Sequence, residues 1–376
     1  MFNEISYEFL QQYWWFIVAL LAAVLVFLMF VQGLQSLLWQ LGKTQTERTI
    51  ILNISGKKWE LGFTTLVTFG GAFFASFPLF YATSFGGAYW VWMIILFTFI
   101  VQAVSYEFRS KMNNFLGSKI YELFLIINGF VAPVLIGTAV ATFFTGSAFS
   151  VDMMNIPRWQ HSLQGLEAAF SLTNLSLGLA VLFLVRIMGS QFLIKSTDEK
   201  SLLEKCFKQI KIDASLFLPF FLFFVFKIFL NDGFAVDSAT GIVSMERFKY
   251  LNNLIDMPIV LILFLVGVLL VLYSIYLSVF KNSTKSLWFS GLGTVFTVLS
   301  LFFITGLNNT AYYPSTFDLQ SSLTIYNSSS SEYTLTAMSY VSLFIPVVIF
   351  YVWYVWKAMS KQKVNADSLK NESHTY

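Results

Sequence analysis

From Leu61 to Tyr106 the chain carries no aspartate, glutamate, lysine or arginine. An uncharged, mostly apolar stretch of that length is too long for one buried helix. It suits two crossings of a bilayer, each of which takes ~20 apolar residues. The short glycine-bearing turn "ATSFGGA" (82–88) divides it into an antiparallel pair. Inside a bilayer every backbone N–H and C=O must be bonded within the chain, so such segments fold as helices. The same reasoning along the whole sequence predicts nine spans, at 11–38, 61–82, 87–106, 119–143, 163–188, 214–231, 258–280, 286–306 and 335–356. Only 11% of the residues are charged, against about 25% in soluble domains. The expectation is an all-α polytopic membrane helix bundle of about nine transmembrane helices over residues 1–357, with a polar cytoplasmic tail at 358–376.

Orientation follows from the basic residues. Eighteen of the 23 lysines and arginines fall in one set of alternate loops, and only Arg158, Arg247 and Lys249 fall in the other. The positive-inside rule then places the N-terminus outside and the C-terminus in the cytoplasm, which needs an odd number of spans. Arg186 and Lys227 lie near the predicted ends of spans, where snorkelling to the head groups is the expected role. Pro78 is expected to bend or end the second span. Gly70, Gly71, Ala72, Ala75 and Ser76 in that span suit close packing among helices. The loop at 308–333 lacks basic residues but alternates aromatic and aliphatic side chains, and it is expected to pack over the outer face.

The chemistry open to the chain is narrow. Its formal net charge of +3 does not suggest a nucleic-acid partner. The one cysteine, Cys206, reads as a passive thiol in a polar loop and excludes an internal disulfide. His161 and His374 fall in an outer loop and at the far C-terminus, so neither is placed to ligate a haem at membrane depth. No P-loop, dinucleotide fingerprint or HExxH helix occurs. What remains are membrane-edge ionisable groups: Glu60, Glu107 and Arg109, with Glu122 a turn into the fourth span. The plainer reading of each is an interfacial anchor paired with Lys57, Lys58, Lys111 or Lys119. Glu60 stands apart, because it opens a span whose Thr64, Thr65 and Thr68 could hold water, and a carboxylate there can collect protons and pass them inward.

An ordered set of segments resembles subunit II of the cytochrome bd-type quinol oxidases. They are "YWWF" (13–16), "QTERTIILNISGKKWE" (45–60), "TFGGAFFASFPLFYATSFGG" (68–87), "YEFRSK" (106–111), "GTAVATFFTG" (137–146), "YPSTFDLQSSLTIYNSSSSEYTLT" (313–336) and the closing "HTY". The resemblance implies a chain without cofactor of its own. Its partner would be a haem-bearing subunit I, with two b-type haems and one d-type haem, in a bacterial cytoplasmic (inner) membrane. The complex would oxidise quinol, reduce dioxygen to water and be electrogenic through vectorial proton chemistry. This subunit would support subunit I and contribute to proton uptake from the cytoplasm, among lipid, quinone and small accessory subunits.

The resemblance has departures. Where the family's first helix often carries acids, "QGLQ" places Gln32 and Gln35, which can bond water but carry no charge. Trp59 is retained, Lys58 replaces a histidine and Glu60 an aspartate. The candidates for a proton pathway are therefore Glu60, Trp59, Thr64, Thr68, Gln32, Gln35 and Glu107. The alternative reading is a secondary transporter of a small solute. Against it, the second half has no counterpart to the glycine-rich second and third spans.

Overall fold

The computed structural model describes residues 4–111, 113–360 and 362–366. Among these, seven helices are long and apolar enough to cross a membrane, and two bent pairs bring the number to as many as nine. The spans are Tyr7–Leu28 continued by Phe30–Ser36, Trp59–Ser76, Tyr89–Phe108, Ser118–Thr145, Leu172–Ser196, Lys200–Leu230, Pro258–Lys281, Ser286–Gly306, and Glu332–Ser342 with Ile345–Met359. The expected all-α membrane bundle is the observed architecture. The first and fifth spans form its centre, with 72% and 83% of their apolar windows buried, against 28% for the sixth and seventh. The helix Ile345–Met359 has no buried residue. It lies on the flank, where a bilayer or another chain must cover it.

Local chemistry sets the breaks. Pro78 stops the second span, and the chain turns by 119° there into a wide helical turn over Tyr81–Gly86, as expected of a residue without an N–H. Pro346 sits in the first turn of Ile345–Met359, where the ninth span bends by 41°. The helix Gln45–Gly56 precedes the second span and begins with a capping box between Thr44 and Glu47.

Two predicted boundaries need correction. Residues 163–171 form turns and a short 3-10 segment, because Gln164 and Gly165 adopt positive φ. The fifth span starts where the Ser171 side chain accepts from Asn174 N, and it runs on to Ser196. The sixth span starts at Lys200, well before 214. Leu202, Cys206 and Ile210 recur at helical spacing on its buried face, so Cys206 is a buried helical residue and the nearby lysines ride on the helix. Arg186 consequently stands inside the fifth span, 4% exposed. It does not snorkel. Lys227 is exposed in the last turn of its helix, as expected.

Close backbone approach holds the centre together. A Cβ on Gly33 would stand 1.8 Å from the Val185 carbonyl oxygen, and one on Gly129 would stand 2.4 Å from Ser36 N. Only glycine permits the fourth and fifth spans to close on Phe30–Ser36 in this way.

One end of the bundle gathers the basic loops, where Lys205 pairs with Glu47 at 2.6 Å and Lys363 with Asp198 at 2.6 Å. Val364 is buried there and bonds through its backbone N to Ser196 O, so the start of the 358–376 tail is tied down. Residues 367–376, with His374 and the closing "HTY", lie outside the described residues. At the opposite end the 308–333 loop packs inward as expected. Tyr312, Tyr313, Leu323 and Ile325 are each no more than 2% exposed, and Tyr312 lies 4.5 Å from the Trp15 ring. The first span is fastened to this loop. Tyr7 Oη donates to Ser330 O, 323 residues away, and Gln11 Nε2 donates to Ser329 Oγ.

Candidate functional site

Between the first, third and fourth spans and the helix Gln45–Gly56 runs a seam of buried polar side chains. On the third span, Thr98, Gln102, Tyr106 and Arg109 recur at helical spacing, each no more than 5% exposed. Such spacing puts them on one face of the helix. Gln32 and Gln35 meet them from the first span, and Glu122 and Asn128 from the fourth.

At the basic end Glu122 is 1% exposed. Its Oε1 accepts from Arg109 Nη2 at 2.7 Å and Nε at 3.1 Å. Its Oε2 accepts from Trp39 Nε1 at 2.8 Å and faces Arg48 Nε at 3.3 Å. Two guanidiniums and an indole thus converge on one carboxylate. The surfaceward anchor expected for Arg109 and Glu122 is therefore replaced by a buried ion cluster. One step inward, Gln35 Nε2 donates to Tyr106 Oη at 2.9 Å, and that hydroxyl donates to Ser55 Oγ at 2.8 Å. Further in, Gln32 Nε2 donates to Gln102 Oε1 at 3.4 Å, and Asn128 Nδ2 to Thr98 Oγ1 at 3.2 Å.

Besides Arg48 Nε, which has only its ion-pair contact with Glu122, five buried atoms in and beside this seam have no hydrogen-bond partner: Gln32 Oε1, Gln35 Oε1, Gln102 Nε2, Asn128 Oδ1 and Thr138 Oγ1. An unbonded buried amide or hydroxyl costs about 1–3 kcal/mol. Native structures relieve such costs with ordered water. These uncharged side chains thus leave open donors and acceptors inside the bundle.

The structure brings Gln32 and Gln35 into this seam and sets the other candidates outside it. Trp59 is half-buried and stacks on Tyr106, with ring centres 5.8 Å apart and planes 15° apart, so it forms a wall of the seam. Glu60, Thr64 and Thr68 share the outward face of the second span, and all three are exposed. The Thr64 and Thr68 hydroxyls donate to the Glu60 and Thr64 carbonyls at 2.7 and 2.8 Å. Glu107 is a surface residue bonded to Lys111 at 2.8 Å, the anchor arrangement. His161 is half-exposed, and its Nδ1 accepts from Leu163 N.

Several members had not been singled out from the sequence. Gln102, Tyr106 and Thr98 carried a usable signal in their helical spacing inside an otherwise apolar span. Arg48, Trp39 and Ser55 carried none, since only the fold brings their loop over Glu122 and Tyr106. A second buried ion pair was also missed. Arg186 Nε donates to Asp213 Oδ1 at 2.9 Å and Nη2 to Gln40 Oε1 at 2.7 Å, tying the fifth and sixth spans to the end of the first.

Comparison with known proteins agrees with this architecture. Residues 10–359 match the family model for cytochrome bd terminal oxidase subunit II. The Escherichia coli K12 protein named cytochrome bd-I ubiquinol oxidase subunit 2 is 26% identical over 386 aligned positions, covering 99% of each chain. A Haemophilus influenzae protein named probable cytochrome oxidase subunit 2 is 26% identical, covering 96% of this chain and 97% of its own. In fold, the chain resembles a chain of the bd oxidase structure from Geobacillus thermodenitrificans, with a TM-score of 0.60 at 10% identity over 93% of this chain and 97% of that one.

Proposed function

Since the chain belongs to the cytochrome bd terminal oxidase subunit II family, and so to a quinol oxidase complex with a partner subunit I, we propose that it conducts protons from the basic end of the bundle towards that partner, without haem of its own. The observation that carries this reading is the set of five partnerless buried polar atoms in and beside the seam of Gln32, Gln35, Gln102 and Asn128. Water bonded to them passes protons by exchange of hydrogen bonds. The Glu122 carboxylate, held between Arg48 and Arg109, fixes the mouth of the seam.

Glu60 supports a second part of the same role. A face turned to lipid is apolar, yet this one presents Glu60, Thr64, Thr68 and Gly71 in sequence along the helix. Small and hydroxyl side chains suit a protein neighbour better than lipid tails, and subunit I is that neighbour. Glu60 then stands at the cytoplasmic edge of the subunit interface, exposed at the start of the second span. The haem-free reading draws on the placement of His161, which lies half-exposed in a polar loop. The complex itself supplies the redox chemistry from haem and quinol in subunit I. This chain's residues hold, orient and deliver.

Glu60→Gln keeps the shape of the side chain and removes its titration. In the assembled oxidase, oxygen consumption per haem should fall several-fold with the haem spectrum unchanged, while Glu60→Asp retains more activity. Equal behaviour of the two variants across pH would reduce Glu60 to an anchor. Placement in the cytoplasmic membrane with the N-terminus outside is checked separately. Reporter fusions after Lys205 and Lys361 should report cytoplasm, and those near Thr240 and Ser329 the outer side. A single swap would remove the nine-span topology.

A further inference from the structure

At the basic end, a solvent-open crevice of about 460 Å³ lies between the start of the second span, the end of the fifth and the segment after the ninth. Lys57, Lys58, Lys195 and Lys363 line it, together with Ser196 and Ser360, and no aspartate or glutamate among the described residues does. Lys58 is 2% exposed. Its Nζ donates to the Trp356 carbonyl at 3.3 Å and lies 4.5 Å from the centre of the Trp356 ring. Lys195 Nζ rests 4.1 Å from the centre of the Trp288 ring. Lys363 has Asp198 as counter-ion at 2.6 Å.

A carbonyl and two indole faces offset part of the desolvation of Lys58 and Lys195, but they contribute no negative charge. Ammonium groups gathered around one crevice also repel one another. The arrangement is stable with an anion among them. Its depth is informative. Lys58 immediately precedes the second span, Lys195 lies in the last turn of the fifth, and Trp288 and Trp356 flank them as indoles do at the membrane interface. A bilayer crossed by these helices would set its phosphates at this level.

We propose that this crevice is an anion site that takes a phosphate group, with Lys58 and Lys195 as its principal ligands and Lys57 and Lys363 at its rim. Compact ammonium groups bind phosphate as point charges. Two sources share this chemistry, the phosphodiester of an anionic lipid and free phosphate.

The test uses the oxidase assembled with subunit I, stripped of lipid in mild detergent. Its Tm is followed against dihexanoyl phosphatidylglycerol, dihexanoyl phosphatidylcholine and sodium phosphate. Phosphatidylglycerol, phosphate or both should raise Tm, whereas phosphatidylcholine should not at the same concentration. Protection by phosphatidylglycerol alone assigns the lipid as source, and protection by phosphate at similar concentration assigns the free ion. Lys58→Met with Lys195→Met should raise the half-saturating concentration by about tenfold or more, as expected for losing two lysine–phosphate attractions. The paired arginine substitutions should preserve binding. If the double methionine variant does not accumulate, Lys195→Met alone should weaken binding about fivefold. The proposal is overturned by no protection of the wild type, by equal protection from phosphatidylcholine, or by protection unchanged in the methionine variants. It is also overturned if protection appears only in a chain ended at Ala366, since the carboxylates of Asp367 and Glu372 would then be the crevice's own anions.

Discussion

Glu122→Leu should nearly abolish accumulation of the assembled oxidase. The substitution leaves the buried Arg109 guanidinium without its carboxylate and deprives the Trp39 indole of its acceptor. Removing one partner of a buried pair costs about 3–5 kcal/mol, a large part of the 5–15 kcal/mol that holds a typical protein folded. Arg48 is 21% exposed on its side chain and can turn to solvent, whereas Arg109, at 4%, cannot. The double variant Glu122→Leu with Arg109→Met should therefore recover much of the loss, because an apolar pair of similar volume removes the stranded charge. Haem content and Tm of the complex in isolated membranes measure both effects. Wild-type levels in the single variant would show that the cluster carries little of the fold's stability.

The second large effect falls on turnover rather than assembly. Gln102→Leu keeps the volume of the side chain and removes the one that bonds Gln32 and leaves Nε2 open towards the seam. A water that loses such a partner loses about 1–3 kcal/mol of hydrogen bonding. If proton delivery limits the reaction, the rate falls about tenfold. Gln35→Leu should act similarly, because it interrupts the bonds to Tyr106 and Ser55. Oxygen consumption with excess quinol, normalised to haem, gives the number. Undiminished turnover in both variants would mean that protons reach subunit I by another route.

The helices were readable because a bilayer leaves the backbone only one open arrangement. Among the described residues, hydropathy therefore marked the seven candidate spans and the two bent pairs, and Pro78 marked a real break. The ends were harder. The sixth span begins among lysines, because Leu202, Cys206 and Ile210 carry the apolar face out past the membrane, and a hydropathy window averages that face with the charged one. Arg186 was read as a snorkelling residue for the same reason, since the predicted span ended beside it. The site was legible only in part. Gln32 and Gln35 drew notice as substitutions within a family pattern, and both line the seam. Glu60 drew notice as a charge beside an apolar run, but sequence does not tell which way a side chain faces. The partners of Glu122 come from the helix Gln45–Gly56, the short helix Leu38–Leu41 and the end of the third span, and only tertiary packing brings them to one carboxylate.

The ties from Tyr7 and Gln11 to the loop ending at Ser330 bear on how the chain is made. The groups that bond the start of the first span lie 318 and 323 positions further along the chain. Contacts of such sequence separation form late. Until they do, Tyr7 and Gln11 lack these partners and the Trp15 ring lacks its contact with Tyr312. The central helix is thus held at its start by groups from far along the chain, so the loop ending at Ser330 closes the bundle as well as covering its end.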